Sequence, residues 1–570
     1  MSRREHVTLF GASGTMGFQV VKELRRRAER YDLTLFLLPG DVRAKRLEPL
    51  LRGSGVDLRR RVGLSEGRGV RVVWGDATDL ARVRLAVRGA DWVLNTMAYI
   101  SPQADYRPEI AWAVNDLAVG NVLAAICEEP EGARRVCYVH TGSVAQTGNR
   151  PATGRGGAPG TYVGRVGDPM NPSVYDEYAL SKIAGERRVM ESPLERWVSL
   201  RMSFIMPTDH ADLMGLFDPI AFHMPLDTRM ESVTDRDAGL AMVNCLELRH
   251  DAEFWRRAYN VGGGPGMRTT ARAYLRAAYG LMGLDVRRCM DENWFGLRNF
   301  HLQYYADSEV TERYLRYQRD DLASHAAALE ATMAPGMKLL TWLCRHVAPV
   351  RRLSEAVVHG RFRRLAHGHR NSPRQWYLTR NDARVRAFFG GYAAYEDIPT
   401  GGLCEAVDED GPWVRFDHGY AEDAESLSRA HVMRAAAFRG GEWLGTVAGE
   451  GAPCRPGVTG ANDDAGGDAT VGWHEPSVWR CGAGHEFEAL PSTVLRGGHW
   501  CMDCLAQWDG GLRATREPFF AQAWHADHDP GDLEPYPADG AADVADADVV
   551  WRTRGDDRRR ARRATTAPPA

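Results

Sequence analysis

The sequence has no apolar run approaching the roughly 20 residues that a membrane-spanning helix needs. The longest stretches, such as Trp92–Ile100, fall far short, so no membrane contact is expected. No secretory leader is legible either, because Met1–Phe10 passes through charged residues straight into a short apolar strand. Net charge is small: 72 Lys and Arg stand against 75 Asp and Glu, −3 in all. That balance makes no electrostatic case for nucleic acid. A disulfide framework is also missing. Of ten cysteines, seven lie singly between Cys127 and Cys454, and they read as reduced thiols in a cytoplasmic protein. Internal repeats are absent.

What is present is ordinary for a soluble globular chain: 44% apolar and 26% charged residues. The 570 residues exceed one core; at about 150 residues per domain, three or four units are expected. Residues 1–280 alternate short apolar strands with amphipathic helical stretches. Strands are expected at His6–Phe10, Thr34–Leu38, Val70–Trp74, Trp92–Thr96, Val136–Thr141 and Val198–Met202. Helical patterns such as Gly17–Ala28 and Ala111–Cys127 separate them, which predicts an α/β fold with a doubly wound parallel sheet. Residues 281–350 read as mostly helical, with helices expected over Tyr304–Tyr317 and Leu322–Cys344. Residues 351–450 are mixed and of unassigned role. Residues 451–471 are Gly- and Asp-rich and read as a linker. A small module follows at 472–515. The tail, 516–570, is poor in apolar residues and is expected to be disordered.

The first strand runs into Gly11-Ala-Ser-Gly14-Thr-Met-Gly17, a G-x-x-G-x-x-G loop that opens a helix. Gly11 suits a tight turn, Gly14 a close approach to a pyrophosphate, and Gly17 close packing of helix on sheet. The helix N-terminus then offers free N–H groups and a favourable dipole. Asp76, after the third strand in Gly75-Asp76-Ala77, could accept from an adenine amino group or merely cap a turn. The second strand ends Leu37-Leu38-Pro39, without the acid that an NAD-selective site places there. Arg43, Lys45 and Arg46 follow and could meet a 2′-phosphate, a weak lean to NADP set against a plain solvated helix face.

Tyr178 and Lys182 stand at i and i+4, on one face of a helix. An ammonium beside a phenol favours the phenolate, so the tyrosine is expected to fall towards neutrality and serve as acid/base. Ser143, after a strand in His140-Thr-Gly-Ser143, could orient the reacting oxygen.

In this order, glycine loop, serine and Tyr-x-x-x-Lys resemble the extended short-chain dehydrogenase/reductases, the NAD-dependent epimerase/dehydratase family. The resemblance covers residues 5–280 and includes Asn115, Leu200-Arg201, Val233-Thr-Asp-Arg-Asp-Ala238 and Tyr259-Asn260-Val-Gly-Gly-Gly264. It implies a Rossmann-type domain with a smaller substrate subdomain. It also implies that Tyr178 is the acid/base, supported by Lys182, with Ser143 polarising the substrate and Asn115 completing a proton relay. The implied cofactor contacts are Gly11, Ser13, Gly14, Thr15, Met16, Gly17, Arg43, Asp76, Ala77 and Ala98, with Tyr178 and Lys182. Val144-Ala145 stand where dehydratases of this family carry Asp-Glu, which argues against dehydration. The strand after Arg201 continues Met202-Ser-Phe-Ile-Met-Pro207, without the Asn of many sugar-nucleotide epimerases. The expected activity is interconversion of a secondary alcohol and a ketone on a small molecule. A sugar-nucleotide epimerase and a non-enzymatic dinucleotide-sensing scaffold are the alternatives. The polar and aromatic stretch Asn293–His301 is expected either to line the substrate site or to pack as a loop.

Cys481-x3-His485 and Cys501-x2-Cys504 form two ligand pairs with Cys₃His chemistry, which suits a closed, structural zinc site in a zinc-ribbon-like module. His499 is the alternative to His485. Such a module is a candidate contact for a protein partner, and a homodimer is compatible with the sequence.

Overall fold

The computed structural model describes residues 3–151, 160–214, 218–405, 411–422, 426–447 and 470–547. An eight-stranded sheet organises the first half. Its strands are β1 Glu5–Phe10, β2 Tyr31–Leu37, β3 Leu64–Gly67, β4 Val70–Trp74, β5 Trp92–Asn95, β6 Cys137–Ser143, β7 Trp197–Met202 and β8 Arg257–Val261. They lie in the order β8-β7-β6-β5-β1-β2-β4-β3. All neighbours are parallel except the β3–β4 edge pair.

Alternate side chains of each strand enter separate cores on the two faces, as a period of two requires. Val7 and Leu9 of β1 pack under α1 (Thr15–Arg26) and α5 (Asp235–Asn244). Phe10 packs under α2 (Leu80–Val87) and α3 (Ala118–Glu128), near the end of α4 (Glu177–Met190). Helices on both faces and a reversal of strand order between β1 and β5 define a doubly wound, Rossmann-type fold. The C-terminal ends of β1 and β5 therefore flank a crevice, and the Gly11 loop lies there.

All six expected strands are present, shifted by at most a few residues at their ends. Pro108–Glu128 is one continuous run of 21 helical residues, apolar enough by composition to span a membrane. Its central residues Val122 and Ile126 are buried against the sheet instead.

Two helix expectations change. Tyr304–Tyr305 is a short strand, and the helix begins at Ser308. The expected Leu322–Cys344 helix is two, α6 Leu322–Thr332 and α7 Pro335–His346. Pro335 has no N–H to donate, so it takes the first turn of a new helix. α8 (Ala348–Gly368) follows after one residue.

The small module begins earlier than residue 472. Its antiparallel sheet takes β9 Glu442–Thr446 beside β10 Ser477–Arg480 and β11 Glu486–Ala489. Most of the proposed linker, and Cys454 within it, lies outside the described residues.

The expected disorder of the tail is wrong for residues 516–547; residues 548–570 lie outside the described chain. After α9 (Gly510–Arg516), the helix α10 (Pro518–Trp524) buries Phe519, Phe520 and Trp524, and Tyr536 and Val544 are buried beyond it. Phe520, Trp524, Tyr536 and Val544 join Tyr175 and Trp376 in one cluster. Acidic residues of the tail meet arginines of earlier elements, with Arg384–Asp543 at 2.8 Å and Arg370–Asp546 at 2.6 Å. Low average hydropathy hid a few large aromatics and complementary charges. Truncation after Thr515 should therefore destabilise the protein by several kcal/mol, at about 1.5–3 kcal/mol for each large apolar side chain laid bare. A disordered tail would leave the denaturant midpoint unchanged.

Candidate active site and metal centre

Gly11 leaves β1 in the left-handed region, at φ 81°. A Cβ there would stand 2.8 Å from Thr96 Oγ1, and one at Gly17 would stand 2.1 Å from the Gly11 carbonyl oxygen. Only glycine allows the turn to fold so tightly onto its own helix. Gly14 caps α1 without a side-chain bond, so the first N–H groups of the helix face the crevice unclaimed by a capping side chain. The cradle fits a pyrophosphate. Ser13, Thr15 and Met16 complete the loop, and Arg43 NH2 donates to Thr15 Oγ1 at 3.2 Å.

The other expected cofactor contacts divide. Ala77 is buried and Ala98 exposed, both at C-terminal edges of the sheet. Asp76 Oδ1 accepts from Thr78 N (2.9 Å) and Thr78 Oγ1 (2.8 Å), closing a turn. The basic group after β2 already has a counter-charge. Asp212 lies 3.1 Å from Arg46 and 3.8 Å from Arg43, which offsets part of the charge behind the NADP lean.

Ser143 ends β6, and Tyr178 stands in the first turn of α4, which Asp176 caps through a bond from Ala179 N at 2.8 Å. The Ser143 side chain beside the phenol favours the tyrosinate. Burial outweighs it, with Asp176 adding to the rise, and Tyr178 is pushed up to about 12. Lys182 donates to the Thr141 carbonyl. Its burial brings it down to about 8, against the pull of Glu186. The expected fall of Tyr178 towards neutrality is thus reversed. The ammonium is turned to a backbone carbonyl and is itself desolvated, while the half-buried phenol is largely shielded from water.

Asn115 lies in a π-helical turn, Ala113–Leu117. Its Oδ1 accepts from Tyr99 N (2.9 Å), and its Nδ2 donates to Tyr99 O and Ser181 Oγ, both at 3.0 Å. Ser181 in turn donates to the Tyr178 carbonyl at 2.8 Å. Asn115 therefore reaches the tyrosine through its backbone rather than its hydroxyl. Of the stretch Asn293–His301, Trp294 and Phe295 pack in a core. Asn299 holds Val174 N at 2.6 Å, and His301 Nδ1 stands 3.4 Å from Asp176. That end borders the tyrosine. Asp105, held by Ser101 and Asn371, is raised to about 7 by burial and by Asp176.

One turn beyond Lys182, the Glu186 carboxylate is fully buried. It accepts from Ser199 Oγ (2.6 Å), Arg201 NH2 (2.7 Å), Gln146 Nε2 (2.8 Å) and His499 Nε2 (3.0 Å). Burial alone would raise it; Arg201 and His499 overcome this and hold it well below the ordinary carboxylate range. Gln146 Oε1 also accepts from Ser143 N at 2.7 Å. The sequence marks Arg201 only within the Leu200-Arg201 motif and His499 only as an alternative metal ligand, and it marks Gln146 and Glu186 not at all. The i, i+4, i+8 spacing of Tyr178, Lys182 and Glu186 was the available signal.

In the small module, Cys481, His485, Cys501 and Cys504 converge with all ligand atoms within 4.8 Å of one another. His485 Nδ1 lies 3.5, 3.5 and 3.4 Å from the sulfurs of Cys481, Cys501 and Cys504, and the Cys481 and Cys504 sulfurs are 3.6 Å apart. A tetrahedral ion with metal–sulfur bonds of about 2.3 Å needs edges of about 3.5–3.8 Å. The donor set fits such an ion. His499 is spoken for by Glu186 and is not part of it.

No protein-family model and no curated protein matches the chain. It is similar to the solved dTDP-glucose 4,6-dehydratase of Bacillus anthracis str. Ames in complex with NAD, at 12% identity and TM-score 0.41, over 57% of this chain and 96% of that one. L-threonine dehydrogenase from Phytophthora infestans is 14% identical, with TM-score 0.40, over 57% and 97%. The Bordetella bronchiseptica enzyme WbmH in complex with NAD+ is 17% identical, with TM-score 0.39, over 57% and 98%.

The lysine gives a signature in stability. Its folded value of about 8 lies below the ordinary 10.5, so between these the unfolded chain holds a proton that the folded chain has released. Stability contributed by this group should rise with pH across that window, by up to about 3 kcal/mol. Lys182→Met should lack that rise when denaturant unfolding of both proteins is followed through pH 8–10.5.

Proposed function

We propose that the chain is an NAD(P)-dependent oxidoreductase interconverting a secondary alcohol and a ketone on a small molecule. The observation that carries this reading is the convergence of Ser143, at the end of β6, with Tyr178 and with Lys182 one turn on, in a sheet whose β1, across β5, carries the Gly11 cradle. A bound nicotinamide would accept or supply the hydride. Ser143 holds the reacting oxygen, and Tyr178 moves its proton. At about 12, Tyr178 is a phenol through the neutral range, which suits donation to a carbonyl oxygen. Oxidation of the alcohol calls on the phenolate instead and gains from rising pH. Asp176, two residues before Tyr178, and His301, 3.4 Å from that carboxylate, would meet polar groups of the substrate. Val144 and Ala145 are buried beside Ser143, so no acid stands there to expel water.

Tyr178→Phe should lower turnover about 10²–10⁴-fold while dinucleotide binding by calorimetry is retained. A metabolite screen at the nicotinamide absorbance band supplies the assay. Full turnover in the variant would remove Tyr178 from the mechanism, and no affinity for either dinucleotide would remove the reading.

We also propose that Cys481, His485, Cys501 and Cys504 hold one structural zinc, since four protein donors leave no open position. Metal analysis should find one equivalent of zinc per chain, and Cys504→Ala should lose it. Chelation should lower the melting temperature, because a module this small depends on its metal for folding.

A further inference from the structure

The consecutive helices α7 and α8 carry their apolar residues on the wrong side for a solvent-exposed pair. On α7, Thr341 and Cys344 are buried. Leu339, Trp342, Leu343 and His346 fall at i, i+3, i+4 and i+7, the opposite face. Leu339 is 60% exposed and Trp342 55%. On α8, Glu355, Phe362 and Ala366 face inward. The outward stripe runs Val350, Leu353, Val357, then Arg361 and Arg364. Leu353 is 68% exposed and Val357 62%.

Charge on these helices is of one sign. Residues 335–368 hold Lys338 and six arginines against a single carboxylate, Glu355, which is buried. The whole chain carries −3, so this excess is local. Where α7 meets α8, a cavity of about 410 Å³ is lined by Arg288, Arg345 and Arg351, with Asp285 and Glu355 also in its wall. Arg288 and Arg351 share Glu355 at 3.9 and 4.0 Å, and Arg345 reaches Glu330 at 3.2 Å. Three guanidiniums thus gather around one recess beside an exposed aliphatic ridge.

We propose that α7 and α8 dock the protein on an anionic lipid bilayer, lying in its interface rather than crossing it. Leucine, valine and tryptophan side chains would enter the headgroup boundary, the flanking cations would meet anionic headgroups, and the arginine recess would take a headgroup phosphate. Charge complementarity selects this occupant. A second copy would bring a like-charged face, and a nucleic acid would leave the aliphatic ridge in water. The absence of a spanning run in the sequence bears only on crossing the bilayer. Surface attachment is a departure from the expectation of no membrane contact.

Co-sedimentation of the full chain with vesicles tests this. The protein should pellet with equimolar phosphatidylglycerol and phosphatidylcholine, not with phosphatidylcholine alone. Binding should weaken as salt rises from about 0.05 to about 0.5 M. Leu339→Ser/Trp342→Ser and, separately, Arg352→Gln/Arg363→Gln/Arg364→Gln should each lower partitioning about tenfold or more. All five positions are exposed, so the melting temperature of each variant should match wild type. Failure to bind anionic vesicles, equal binding to phosphatidylcholine, or full binding by either variant would overturn the proposal. So would duplex DNA binding without vesicle binding, or a dimer in sedimentation that both variants dissolve.

Discussion

A carboxylate buried without water has to be answered by protein, and Glu186 is the point at which the two halves of this chain answer it together. It sits on the helix that carries Tyr178 and Lys182. Arg201 comes from the sheet, Gln146 from the turn after Ser143, and His499 from the knuckle before Cys501. Removing one partner of a buried pair costs about 3–5 kcal/mol because the other charge remains. The Cys₃His cluster and the helix of Tyr178 and Lys182 are therefore held in one register. Arg201 also donates to the Gly497 carbonyl, and Arg187 to the Trp500 carbonyl, which closes the same seam.

The enclosure that makes this network necessary also sets the chemistry beside it. Desolvation raises Tyr178 and lowers Lys182, so both are biased to their neutral forms. A neutral phenol beside Ser143 has a proton to give. Charge brought into the crevice by a bound dinucleotide would act on both groups with little solvent to screen it.

The Rossmann half was legible because its signals are local. Strands announce themselves by apolar runs, the phosphate loop by glycines that no other residue can replace, and Tyr178–Lys182 by a helical spacing. Cys481, His485, Cys501 and Cys504 were legible for the same reason, as two short ligand pairs. The supports were not: Glu186, Arg201, Gln146 and His499 are far apart in sequence and ordinary in composition. The tail misled because disorder was read from an average, whereas Phe520, Trp524 and Tyr536 need only find a groove elsewhere.

What the sequence determined by itself was identity and order: which side chains could cradle a phosphate, move a proton or ligate a metal, and on which element each would sit. Tertiary structure decided their state. It raised Tyr178, turned Lys182 to a carbonyl, gave Asp212 to the basic group after β2, took His499 out of the ligand set, and left the apolar stripes of α7 and α8 facing outward. The reason is that spacing fixes neighbours along one element, while burial and counter-charge come from elements hundreds of residues away.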